Sequence, residues 1–126
     1  MKPKAFTDLD LYKEARKLRK SVRNLVNSNF PKEEKYRLTD QIIRSSRSVT
    51  ANIAEGNGRF YYLENIKFCR ITRGSLEETL EHLITAYDEK YITIEILKEM
   101  KQQHEICMRL INGYMNYLKK SKKGEM

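Results

Sequence analysis

Leu11, Ala15, Leu18, Val22 and Leu25 recur at alternating intervals of 4 and 3, with polar residues between them. That period lays apolar side chains along one face of a helix. Thr7 and Asp8 stand just before the stripe and offer an N-cap. The stretch closes at NSNFPKEE, where Pro31 disfavours a helical residue before it and restarts the chain. A second stripe follows through Leu38, Ile42, Ser45, Val49, Asn52 and Gly56, and Asn57-Gly58 is a natural stop. A third runs from about Phe60 to Tyr87 through Tyr62, Ile66, Cys69, Arg73, Leu76, Leu80 and Leu83, with Arg73 its one charged member. After a short turn from Asp88 to Ile92, Thr93 can cap a fourth helix. Its face is Leu97, Met100, His104, Cys107, Ile111, Tyr114 and Leu118.

Four amphipathic helices with short connections predict an all-α fold, an antiparallel up-down four-helix bundle. At 126 residues one domain spans 1–126 and buries a core without disulfides or metals. The run KKSKK within 119–126 reads as a frayed, solvated basic tail. Cys69 and Cys107 are isolated and form no CxxC pair, which predicts a reducing compartment. The N-terminus has no apolar run of the secretory kind, and no apolar stretch approaches membrane-spanning length. The expectation is a cytoplasmic protein.

The second helix is the anomaly. Between Arg44 and Gly56 it offers Ser45, Ser46, Ser48, Thr50, Ala51 and Ala54 where its neighbours place larger residues. Small side chains let another helix approach closely, and Gly74 inside the third helix suggests the matching surface. A helical glycine costs about 1 kcal/mol relative to alanine, so a tight crossing of Gly74 on Ala51 and Ala54 would justify it. Asn52 would be partly buried and need hydrogen-bond partners. Glu55 and Arg59, four apart, would pair. Ile43, Ser46, Thr50 and Ile53 form an offset second stripe, which predicts a subunit interface.

The segment FPKEEKYRLTDQIIRSSRSVTANIAEGNGR, followed by GSLEE at 74–78, resembles the small proteins encoded in intervening sequences of bacterial 23S ribosomal RNA genes. The family pattern falls on Phe30-Pro31, Glu34, Leu38-Thr39, Gln41-Ile42, Ser48 through Gly56, Gly58-Arg59 and Gly74 through Glu78. Asn52 to Gly56 is the most specific part. Val49 replaces an isoleucine conservatively, and Thr50 replaces the usual proline, which removes a kink from the second helix. The resemblance implies a four-helix bundle assembled as a ring-like homopentamer. It also implies kinship with the accessory subunit of diversity-generating retroelements, a basic pentamer that works with a reverse transcriptase and its RNA. No activity is implied, and no cofactor. Asn52, Ala54, Glu55, Gly56, Gly58, Arg59 and Gly74 then read as packing and assembly residues.

Net charge is +8, and it is uneven. Residues 1–30 hold eight Lys and Arg against three Asp and Glu, whereas residues 60–92 hold four against six. On the first helix Lys13, Arg16, Lys17, Lys20 and Arg23 make a basic stripe set off from the apolar one. Repeated around an oligomer, it would suit the phosphates of RNA or DNA, with salt-sensitive and largely sequence-independent binding. Its plainer reading is a solvated helix face. Aromatics for base stacking are not interleaved with these residues, so base readout of a single strand finds poor support here.

Catalysis and metal chemistry find little support. His104 and Cys107 share a face and would touch a metal only if His82 or Cys69 joined them; a core role is simpler. The Glu-x-x-His pairs of di-iron bundles are missing. Asn52, Glu55 and Arg59 offer a lone carboxylate, too little for a metal-dependent nuclease. Tyr61 and Tyr62, with Phe60, either face a partner or cap the core, and capping is the simpler expectation. Glu77, Glu78 and Glu81 oppose the basic helix in sign and would pair with it between subunits.

The expectation is therefore a non-enzymatic oligomeric bundle that contacts RNA or DNA electrostatically. The alternative is a protein-interaction module that docks an enzyme such as a reverse transcriptase without touching nucleic acid.

Overall fold

The computed structural model describes the backbone of residues 5–125 and the side chains of residues 5–121. Four helices form: α1 Asp10–Asn29, α2 Leu38–Asn57, α3 Tyr62–Asp88 and α4 Ile94–Glu125. Each packs on its two neighbours in the order α1, α2, α3, α4 and back to α1. Interhelical hydrogen bonds fix the directions. Ser45 meets Thr79 and Ser48 meets Ser75, each at 2.8 Å, so α2 and α3 run in opposite senses. His104 bonds Glu77 at 2.7 Å and Asn65 bonds Tyr114 at 3.0 Å, which gives the same order for α3 and α4.

The stripe of α1 is buried as expected, from Leu11 through Leu25, and Val26 joins it. The helix is not capped by Thr7 or Asp8, however. These lie in a 3-10 turn over Phe6–Asp8, where the Asp8 carboxylate accepts the Ala5 N–H at 3.2 Å. Phe30 leaves the helix in an extended conformation, as its proline neighbour requires. A further 3-10 turn, Lys32–Glu34, leads to α2, whose first turn is closed by Glu34 Oε1 accepting the Leu38 N–H at 3.2 Å. Thr93 Oγ1 accepts the Ile96 N–H at 3.2 Å and caps α4.

In α3 the buried face departs from the apolar stripe. Thr72, Ser75, Thr79 and Ala86 are buried beside Ile66, Cys69, Leu76 and Leu83, while Arg73 and Tyr87 are exposed and Leu80 is half-buried. For Ser75 and Thr79 the reason is the partner: α2 presents Ser48 and Ser45 here, and each meets its partner as a hydroxyl pair. The second stripe of α2 is also accounted for inside the chain. Ser46, Thr50 and Ile53 are buried and Ile43 half-buried beside α1, so this face needs no subunit contact to cover it. α4 continues through Glu125, so the backbone of the lysine run is helical; residue 126 and the side chains of 122–126 lie outside the described residues.

Candidate functional site

Lys13, Arg16, Lys17, Lys20 and Arg23 all lie on the outer face of α1, away from its buried stripe. Lys17 reaches Glu14 at 3.3 Å; the other four make no ion pair among the described residues. Such a face keeps its charge available for a polyanion.

Two arginines and two aromatics that the stripe did not include complete the surface. Between the start of α1 and the end of α2 lies a cleft of about 510 Å³, walled by Phe6, Tyr12, Arg19 and Arg47 and floored by Thr50, Ala51 and Ala54. Arg19 Nη1 donates to Thr50 Oγ1 at 2.8 Å, which holds the guanidinium at the cleft wall. Phe6 meets Tyr12 edge to face, ring centroids 4.9 Å apart. A second cleft, about 590 Å³, lies on the other side of Tyr12 against Lys13, Arg16 and Lys17. A third, about 200 Å³, extends from Arg19 and Arg47 to Lys20 and Arg23. Among the described residues no carboxylate lines any of the three.

Tyr12 is thus an aromatic between cationic clefts, which the linear stripe concealed. Arg47 comes from another helix, and its only sequence signal was the run of small residues around it.

The residues read as packing elements divide. Gly56 is a point of close approach: a β-carbon there would sit 2.6 Å from Asn65 Oδ1 and 2.8 Å from Phe68 Cβ. Gly74 does not perform that role. It is exposed, and a β-carbon on it would meet no atom within 4 Å. Ala54 lies in the cleft floor, and Ala51 is exposed there. Asn52 is half-buried and spends its amide inside α2, donating to Ser48 O at 2.8 Å and Ser48 Oγ at 2.9 Å. Arg59 pairs with Glu55 at 2.9 Å, as the spacing predicted, and lies 4.9 Å over the Phe68 ring. Gly58 ends α2 with φ −77°, a conformation open to any residue.

At the α2–α3 turn Tyr62 is half-buried against the core, but Phe60 is 86% and Tyr61 63% exposed. These two do not cap the core; they meet edge to face in solvent, centroids 4.8 Å apart.

The histidines and cysteines are bound into the structure. His82 meets Glu78 at 3.1 Å and His104 meets Glu77 at 2.7 Å, so these glutamates have partners within their own chain. Burial pushes the Cys69 and Cys107 thiols up to about 12, which leaves them unreactive at neutral pH. Among the described residues no three His, Cys, Asp or Glu side chains gather as a metal site. Among the same residues no helix is long and apolar enough to cross a membrane.

The family described as 23S rRNA-intervening sequence protein has a model that matches residues 7–113. The chain belongs to that family. Its fold is shared with a crystal structure of a protein of unknown function from the S23 ribosomal protein family of Bacteroides thetaiotaomicron. That protein is 21% identical, with a TM-score of 0.73, and the match covers 83% of this chain and 97% of that one. No curated protein matches. For an intervening-sequence protein, the departure at Thr50 has a visible consequence. Proline there would offer Arg19 no side-chain acceptor, and α2 passes the position as unbroken helix.

Proposed function

We propose that this intervening-sequence protein is a non-enzymatic, cytoplasmic adaptor that assembles as a homopentamer and binds RNA or DNA through the phosphates. The observation that carries the reading is the outward cationic face of α1, Lys13, Arg16, Lys17, Lys20 and Arg23, continued by Arg19 and Arg47 into clefts without a carboxylate. All of these but Lys17 are without an ion-pair partner among the described residues, and such cations retain their attraction for a polyanion. Five copies around a ring would multiply it.

Light scattering of the purified protein, with and without a structured ribosomal RNA fragment, tests both parts. The expected result is a pentamer that gains RNA mass at low salt and releases it as salt rises. Reversing any one of Lys13, Arg16, Lys17 or Lys20 to Glu should deprive one phosphate of its cation and so reduce the steepness of log affinity against log salt by about 0.7–0.9. A monomer at all concentrations would remove the assembly half.

One observation favours a second reading. Phe60, Tyr61 and Leu63 are exposed together at the α2–α3 turn, a surface suited to a protein such as a polymerase. A partner bound there would survive fourfold charge reversal on α1, whereas RNA binding would not.

A further inference from the structure

Tyr12 is shared by two cationic clefts. On one side stand Arg19 and Arg47, on the other Lys13, Arg16 and Lys17. Phe6 braces its ring. Thr50 fixes Arg19 by a 2.8 Å hydrogen bond, and Thr50 Oγ1 in turn donates to Arg47 O at 3.2 Å. Ala51 and Ala54 leave the first cleft open, since neither side chain reaches across it. An aromatic ring flanked by guanidinium and ammonium groups matches the repeat of a nucleic-acid single strand, in which each base lies between two phosphates. In a duplex the bases are stacked within the helix, and only the backbone would reach these cations.

We propose that this face is a single-strand site: Tyr12 stacks a base, while Arg19 with Arg47 and Lys13 with Arg16 and Lys17 take the phosphates on either side. The assignment rests on the nucleic-acid reading above and adds to it the class of strand and the residue that selects it. It also gives the small residues at 51 and 54 a second use, as the floor of the open cleft beside Tyr12.

Fluorescence anisotropy with an unstructured RNA of about 16 nucleotides and a duplex of equal length tests it. The single strand should bind more tightly. Tyr12→Leu should weaken single-strand binding about tenfold and leave duplex binding within about twofold; Tyr12→Phe should bind as the parent does. Should Tyr12→Leu melt below the assay temperature, Ala51→Leu on the exposed helix face fills the same cleft and should give the same selective loss. Equal losses on both probes, or none, would overturn the stacking site while leaving phosphate binding in place. If the parent protein binds neither probe at low salt, the phosphate reading falls and the single-strand site with it.

Discussion

Gly56 and Asn65 touch across the α2–α3 seam so closely that a β-carbon on the glycine would lie 2.6 Å from Asn65 Oδ1, with Phe68 Cβ at 2.8 Å behind it. Asn65 cannot yield freely. Its amide donates to the Tyr114 hydroxyl of α4 at 3.0 Å, and Asn57 donates to the same oxygen at 3.3 Å. One contact therefore joins three helices. Gly56→Ala should cost about 1–3 kcal/mol through overpacking, despite alanine's better helix propensity. Gly74→Ala, on an open helix face, should add about 1 kcal/mol of stability. Urea unfolding of both variants checks the contrast. A destabilising Gly74→Ala would show that another chain covers this face.

That contrast marks what could be read from the sequence and what could not. α1 and α4 were legible because Leu, Val, Ile and Met largely decide their buried faces. The α2–α3 seam was not, because Ser45, Ser48, Ser75 and Thr79 pack through hydroxyl pairs that an apolar count passes over. Both glycines broke the pattern equally, and only the packing distinguishes them. The pairing of Glu55 with Arg59 was legible because it is local. The cleft at Tyr12 was hidden because Arg19 and Thr50 are 31 positions apart and Arg47 lies on a different helix.

Thr72 is fully buried on α3, and its Oγ1 finds no hydrogen-bond partner among the described residues. A buried hydroxyl without a partner carries its desolvation cost uncompensated, about 1–3 kcal/mol. Thr72→Val keeps the shape and removes the polar atom. It should raise stability by about 1 kcal/mol, read as a higher urea midpoint with an unchanged slope. A drop in stability would mean that the hydroxyl has a partner beyond the described residues.

Lys90, two residues past the end of α3, has φ 66°, the one non-glycine residue at positive φ among those described. The Tyr91 N–H donates to Ala86 O at 2.8 Å and the Lys90 N–H to Tyr87 O at 2.9 Å, the paired bonds of a helix end that favours glycine at this position. A side chain in the left-handed region costs about 1–2 kcal/mol, partly offset by glycine's greater freedom when unfolded. Lys90→Gly should therefore stabilise the fold by about 0.5–1 kcal/mol. Calorimetry showing a lower melting temperature would refute this account of the turn.

Glu34 joins the two connections at one end of the bundle. Its Oε2 accepts the Tyr91 hydroxyl at 2.6 Å while Oε1 closes the first turn of α2 at the Leu38 N–H. The Tyr91 hydrogen bond first, and the Leu38 N–H second, hold its carboxyl below the usual 4.5. The same bond, aided by burial, pushes the Tyr91 phenol from 10.0 up to about 12. A lowered carboxyl favours the folded state above pH 4.5, and that contribution is lost as pH falls through the folded value. A raised phenol contributes below pH 10.0 and is lost as pH climbs to about 12. Glu34→Gln keeps the shape but removes the charge behind both effects. Its melting temperature should lie below the parent's at neutral pH, and the gap should close below pH 4.5 and again above pH 10.0. A gap that stays constant across that range would mean that the residue holds the two connections together by packing, and that its charge contributes nothing.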